Sequence, residues 1–268
     1  MWDHVRGNDV DANGRLLMGR QGWFDETMRF YDRYLKGATV ADDPPIAVET
    51  GDGTWRAEDA WPPADSAPVD TALNAGSYTD DAQNNGTGDG AGTGIWTISP
   101  RLADAAHFAG VPKITVDVAS APCRQGIPPC GGGPGADRAN LTADVYDIDS
   151  GNNATLISRG TYMLSGNELA SFDLYGDDWK IPAGHRVGVL VTSSNAEWWQ
   201  HVPTLGTVTV RDARIELPYL KCTRTATIQG DPSVKLDSYK AEAPFALDSA
   251  TVAAAERPDF AVPPTSSC

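Results

Sequence analysis

Three segments between Lys113 and Thr192 constrain the fold of this 268-residue chain more than any others. In Ile114–Val118 and Leu141–Val145 every second side chain is apolar, the two-residue period of a strand with one face on a core. Arg186–Val191 is nearly continuous in Val and Leu, which suits a strand covered on both faces. Turn signals lie between them at Asp149-Ser150-Gly151-Asn152, Ser165-Gly166-Asn167 and Gly176-Asp177-Asp178. Pro182-Ala183-Gly184 predicts a type I turn with Pro182 at its second position and Gly184 at its fourth. Further strands are expected at 46–48, 95–98, 155–164, 170–174, 207–210 and 213–217. Short strands at this spacing, punctuated by turns, predict a mainly-β chain folded as a jelly-roll β-sandwich.

The flanks read differently. Phe24, Met28, Tyr31 and Leu35 recur at helical spacing, and Trp23, Thr27, Phe30 and Tyr34 form the adjoining row. Asp25 and Glu26 open this segment and Arg33 and Lys36 close it, matching the helix dipole, with Gly37 as the C-terminal cap. A helix over residues 22–36 therefore carries a wide aromatic face. Burying each such side chain is worth roughly 1.5–3 kcal/mol, so the face calls for a partner surface. Packing on the strand domain would supply one; a domain upstream would supply another. Residues 74–94, rich in glycine, read as a long surface loop. Beyond Cys222 the chain is mixed and polar, and only Thr251–Glu256 looks helical.

A formal net charge of -15 sets the chain against nucleic acid, whose phosphates need clustered Lys and Arg. No run of 18 apolar residues is present, so no membrane-spanning helix is expected. The aspartates Asp80, Asp81 and Asp89 lack the spacing of a calcium loop, and no metal or other cofactor is expected. Four cysteines, Cys123, Cys130, Cys222 and Cys268, allow three pairings. A local bridge between Cys123 and Cys130 would leave Cys222 to tie down the tail through Cys268. Such bridges imply an oxidising compartment and a secreted, extracellular protein. The alternative, a zinc site, would need a paired C-x-x-C or a nearby His.

Several runs together resemble the X-Pro dipeptidyl-peptidase and cocaine esterase family of serine hydrolases. They are Trp2-Asp3-His4, the run from Trp23 to Gly37 (WFDETMRFYDRYLKG), Pro45 to Trp61, Leu156 to Gly160 (LISRG) and Pro182 to Arg186 (PAGHR). The resemblance covers residues 1 to about 220. It implies a galactose-binding-like jelly roll preceded by a short helical remnant of an α/β-hydrolase domain. The expected division is 1–40 for that remnant, 41–222 for the sandwich and 223–268 for an extension tied by a disulfide. The implied partner is an upstream α/β-hydrolase domain of the same parent chain. On this resemblance His4 matches the triad histidine, which would take the proton of a serine. The sequence holds no G-x-S-x-G elbow, so the serine and the acid are expected upstream of Met1 and the chain alone is expected to be inactive.

Two other readings stand beside this one. Trp198 and Trp199 could present flat apolar faces to a sugar or a peptide side chain, making the sandwich a carbohydrate- or peptide-binding module. The sandwich could also be purely structural, shaping the substrate cleft of its hydrolase. His185, a single histidine at a turn, reads as structural.

Overall fold

The computed structural model describes residues 9–20, 23–81, 94–120, 138–194 and 202–267. In chain order the elements begin with α1 (Trp23–Lys36), β1 (Ile46–Glu49), β2 (Trp55–Glu58), β3 (Ser66–Ala72) and β4 (Gly76–Thr79). Next come β5 (Ile95–Ile98), β6 (Ala106–Gly110), β7 (Lys113–Ser120), β8 (Asn140–Ile148), β9 (Asn153–Met163) and β10 (Glu168–Asp173). Then follow β11 (Asp177–Ile181), β12 (Arg186–Thr192), β13 (Thr207–Leu220) and β14 (Cys222–Thr223). The chain closes with α2 (Val234–Glu242), β15 (Phe245–Ala246), α3 (Ser249–Ala255) and β16 (Ser266–Ser267).

Two antiparallel sheets face one another. One runs β10-β7-β13-β6-β11, with β3 and β4 also paired to β13; the other runs β15-β9-β8-β12-β5. Their inner faces supply the main core: Ile114, Val116 and Val118 from β7, Leu141, Ala143 and Val145 from β8, Val187, Val189 and Val191 from β12. Alternation in β7 is as its sequence predicts, with every second residue buried. The expected strands at 207–210 and 213–217 are one strand, β13. A bulge between Val210 and Asp212 shifts its register against β7. The extra residue lets Val210 and Ala213, three apart, both face the core.

The outer face of the second sheet departs from expectation. β8 is buried along its whole length, although its alternation predicted one wet face. The cover is the C-terminal segment, which is ordered here and not a weak tail. Leu247, Val252 and Ala255 pack on Trp96, Ile98, Tyr146, Ile148 and Leu190 to make a second core. β15 extends the edge at β9. α3 starts on Asp248, whose carboxylate accepts from the Thr251 amide at 2.8 Å. Arg257 N–H then donates to Ile98 O at 2.8 Å, and Phe260 enters the main core.

Three further expectations are corrected. Within 74–94, residues 76–79 form β4, and Tyr78 is buried with its hydroxyl donating to Asn140 O at 2.8 Å. One tyrosine among glycines leaves too short a pattern to read as a strand. α2 was not expected because it has no apolar stripe and no buried residue. One apolar contact, Leu236 against the main core, is joined by polar ties: the Ser233 cap, Lys240 donating to Gly51 O at 2.9 Å, and Arg15 on Asp237 at 2.7 Å. The turn after β11 lies one residue later than predicted. His185 N–H donates to Pro182 O, and Gly184, at φ +84°, takes the third position, as in a type II turn.

Candidate functional site

The helix α1 forms where its pattern predicts it. Gly37 ends it at φ +67°, with the Ala38 amide returning to Asp32 O at 3.0 Å. Its aromatic face does not pack on the strands. Phe24, Phe30, Tyr34 and Leu35 are 60%, 58%, 66% and 76% exposed, and Tyr31 is exposed beside them. The reason is that the polar side anchors the helix. Arg29 pairs with Asp43 at 2.6 Å and Arg33 with Asp42 at 2.6 Å, both on the segment that follows. Between helix and segment lies a groove of about 500 Å³ walled by Phe30, Tyr31, Tyr34, Pro44 and Pro45. Six exposed large apolar side chains on one helix, Met28 among them, mark an interaction surface.

A second concavity, a cleft of about 470 Å³, opens where β1, β2, β11 and α2 meet. Trp55, Trp61, Trp179 and Tyr239 give it aromatic walls, and Glu49 and Asp177 bring carboxyls to it. Gly51 is there because a Cβ would stand 2.3 Å from the Trp179 ring. The walls enclose Asp177, whose Oδ1 accepts from the Asp178 amide at 2.8 Å. Burial pushes its carboxyl up to about 7, and the neighbouring Asp178 charge acts in the same direction. Burial also raises Glu49, which accepts from the Ser233 amide at 2.6 Å.

Asp177 makes stability depend on pH. Its folded-state value lies above the ordinary 3.8, so the protonated group favours the fold. That contribution is fully present below pH 3.8 and is lost as pH rises through about 7. Asp177→Asn, a neutral isostere, is therefore expected to melt higher than the parent at pH 8 and to lose that advantage by pH 5. Thermal denaturation at the two pH values checks it; an equal shift at both would show that Asp177 is not the titrating group.

Beneath this cleft lies a buried ionic network. Asp178 receives Arg56, and its Oδ1 is 2.7 Å from His107 Nε2. Arg56 also meets Glu58, which in turn meets Arg224 at 3.2 Å, and Arg224 reaches Asp65 at 2.7 Å. Arg56, Asp178 and His107 are all essentially inaccessible to solvent. His185, expected to be structural, sits with its Nδ1 2.8 Å from Asp147 Oδ1, while Trp179 Nε1 donates to Asp147 Oδ2 at 2.9 Å. Asp147 thus pins the Pro182–Arg186 turn to the sheet, and burial raises its carboxyl.

His4, Trp198, Trp199, Cys123, Cys130 and Cys268 lie outside the described residues. Cys222 is disulfide-bonded. Its strand β14 pairs in parallel with β16, bringing Cys222 opposite Ser266. Asp80, weighed as a calcium ligand, is buried and accepts from the Thr204 amide at 2.9 Å and the Thr204 hydroxyl at 2.7 Å. Among the described residues no group of His, Cys, Asp and Glu is arranged to hold a metal. Asp177 and Glu49 are site residues that the sequence does not announce. Gly176-Asp177-Asp178 reads as a turn, and only the adjacent Trp179 hints that these acids enter a core strand.

A two-sheet antiparallel sandwich flanked by a helix with an exposed aromatic face defines a β-sandwich domain that carries an interaction surface. The comparisons narrow that class. Residues 38–235 match the family described as the X-Pro dipeptidyl-peptidase C-terminal non-catalytic domain, and the chain belongs to that family. A Bacillus cereus protein with the provisional name Xaa-Pro dipeptidyl-peptidase is 24% identical over 267 residues, covering 82% of this chain and 43% of its own length. The chain thus spans less than half the length of the curated relatives it matches. Among solved structures, a CocE/NonD family hydrolase from Staphylococcus aureus shares the fold at TM-score 0.55 and 12% identity, over 75% of this chain and 46% of that one. An aminopeptidase from a marine sediment archaeon (Thaumarchaeota archaeon) does so at TM-score 0.53 and 14% identity, over 74% and 44%.

Proposed function

We propose that this sandwich docks through α1 onto the α/β-hydrolase domain of its own parent and helps to shape the substrate cleft there. The parent would hydrolyse peptides after proline, or esters, through an acyl-enzyme. The observation that carries this reading is the exposed face formed by Phe24 and Leu35 with the adjoining Phe30 and Tyr34, on a helix anchored by Arg29 and Arg33. An apolar face of this kind gains most from a partner held on the same chain, because linkage supplies a high effective concentration. In this reading residues 1–40 complete the hydrolase domain and His4 is its triad histidine. The Cys222 bridge closes on Cys268, a second bridge joins Cys123 to Cys130, and the parent is secreted. The parallel pairing of β14 with β16 supports the first of these bridges.

The test separates the two parts. The upstream domain and this chain, made as two polypeptides, are expected to co-elute as one complex. Phe30→Ala with Tyr34→Ala should weaken that association by about 10- to 100-fold, the effect of removing aromatic anchors. The melting temperature of this chain should not change, because both rings are exposed. Failure of the parts to associate, or association indifferent to the two substitutions, would sink the proposal.

A further inference from the structure

The cleft between β1, β2, β11 and α2 has an unusual division of hydrogen-bonding capacity. Four of its lining residues already spend their donors within the chain. Trp179 Nε1 donates to Asp147 and Trp55 Nε1 donates to Asp231 O at 2.9 Å. The Tyr239 hydroxyl donates to Leu156 O, and Ser233 serves Glu49 through its amide and its side chain. What the walls still offer is acceptor capacity and ring faces. Among the described residues no cation pairs with Asp177, and the one hydrogen bond it accepts leaves most of its carboxylate lone pairs unused. Lys235 lies on the cleft but makes no ion pair with Asp177, so a ligand that brings donors and a positive charge to that carboxylate, together with an apolar body for the rings, fits the site. A sugar, which needs donors as much as acceptors, fits less well.

We propose that this cleft binds an organic ammonium ion, with the charged nitrogen on Asp177 and the apolar body among Trp55, Trp61 and Trp179. Ammonium groups are held by carboxylates and by the faces of indole rings, most strongly where water is excluded. The titratable groups facing Asp177 are Glu49 from β1, Asp178 from its own strand, and Lys235 and Tyr239 from α2. Asp178 is ion-paired with Arg56, whereas Asp177 has no ion pair among the described residues. Because its carboxyl titrates near 7 in the free chain, the ligand displaces a proton on binding below that pH. The proposal is independent of docking through α1, which contributes nothing to this cleft.

The experiment titrates the chain with 2-phenylethylammonium and, in parallel, with the neutral isostere 2-phenylethanol, following tryptophan fluorescence. Saturable binding of the ammonium at pH 8, at least about tenfold tighter than the alcohol, is expected from one charge-assisted contact. Affinity for the ammonium should fall by about thirtyfold at pH 5.5, the ratio of ionised Asp177 at the two pH values. Asp177→Asn should bind both probes equally, with its melting curve confirming that it folds. Carboxyl-carbon NMR of the unsubstituted chain gives a second reading: saturating ammonium should move the Asp177 midpoint below 7. No saturable binding, equal affinity for the two probes in the unsubstituted chain, or an unmoved midpoint would each overturn the proposal.

Discussion

Replacing His4 by alanine in the full-length parent is expected, on the proposed assignment of His4 as the triad histidine, to lower kcat on an Ala-Pro chromogenic substrate by on the order of 10⁶-fold. The loss acts through the serine. A hydroxyl is a weak nucleophile at neutral pH, and the imidazole both takes its proton and returns it to the leaving group. Without that base only transition-state binding remains, and the residual rate should be equally low for peptide and ester. On the proposed division the chain alone should not turn the substrate over, because the serine and the acid are assigned to the upstream domain. Turnover by the purified chain, abolished by His4→Ala, would place a complete active site within these residues and reject the division proposed above.

The sandwich was legible in the sequence wherever one rule governed a strand. β7 and β12 follow their apolar patterns, and α1 follows its periodicity, its charges and Gly37. What could not be read depends on contacts distant in the chain. The second core joins Val252 to Trp96 and Tyr146, and no local pattern announces that residues near 250 will cover β8. α2 gives no amphipathic signal because a single apolar contact, Leu236, and a set of polar ties hold it. The cleft is the extreme case. Glu49, Trp55, Trp179 and Tyr239 come from four elements, and Asp177 becomes unusual only once they surround it. By contrast, the resemblance residues His4, Trp2 and Asp3 could be picked out with no knowledge of where they sit.

Asp178→Ala should cost about 3–5 kcal/mol, because it takes one of two counter-charges from a buried arginine. Arg56 is 2% exposed and meets Asp178 and Glu58; His107, fully buried, has its Nε2 on the other Asp178 oxygen. With the carboxylate gone, Arg56 keeps one counter-charge, the His107 Nε2 contact is lost, and neither side chain can reach water. Melting should fall by roughly 10 °C, at about 2–4 °C per kcal/mol for a chain of this size. The double substitution Arg56→Met with Asp178→Leu supplies the control. It removes both charges while Glu58 keeps Arg224, so it should cost clearly less than Asp178→Ala alone. If the double variant were the worse of the two, packing around residue 178 would outweigh charge there. Function enters through the neighbouring residue. Arg56 and His107 fix the Asp178 side chain, and the adjoining peptide holds Asp177 by its amide hydrogen bond at the wall of the cleft. A destabilised network should therefore also blur the Asp177 titration near pH 7, which the same carboxyl-carbon NMR would detect in the Asp178→Ala chain below its melting point.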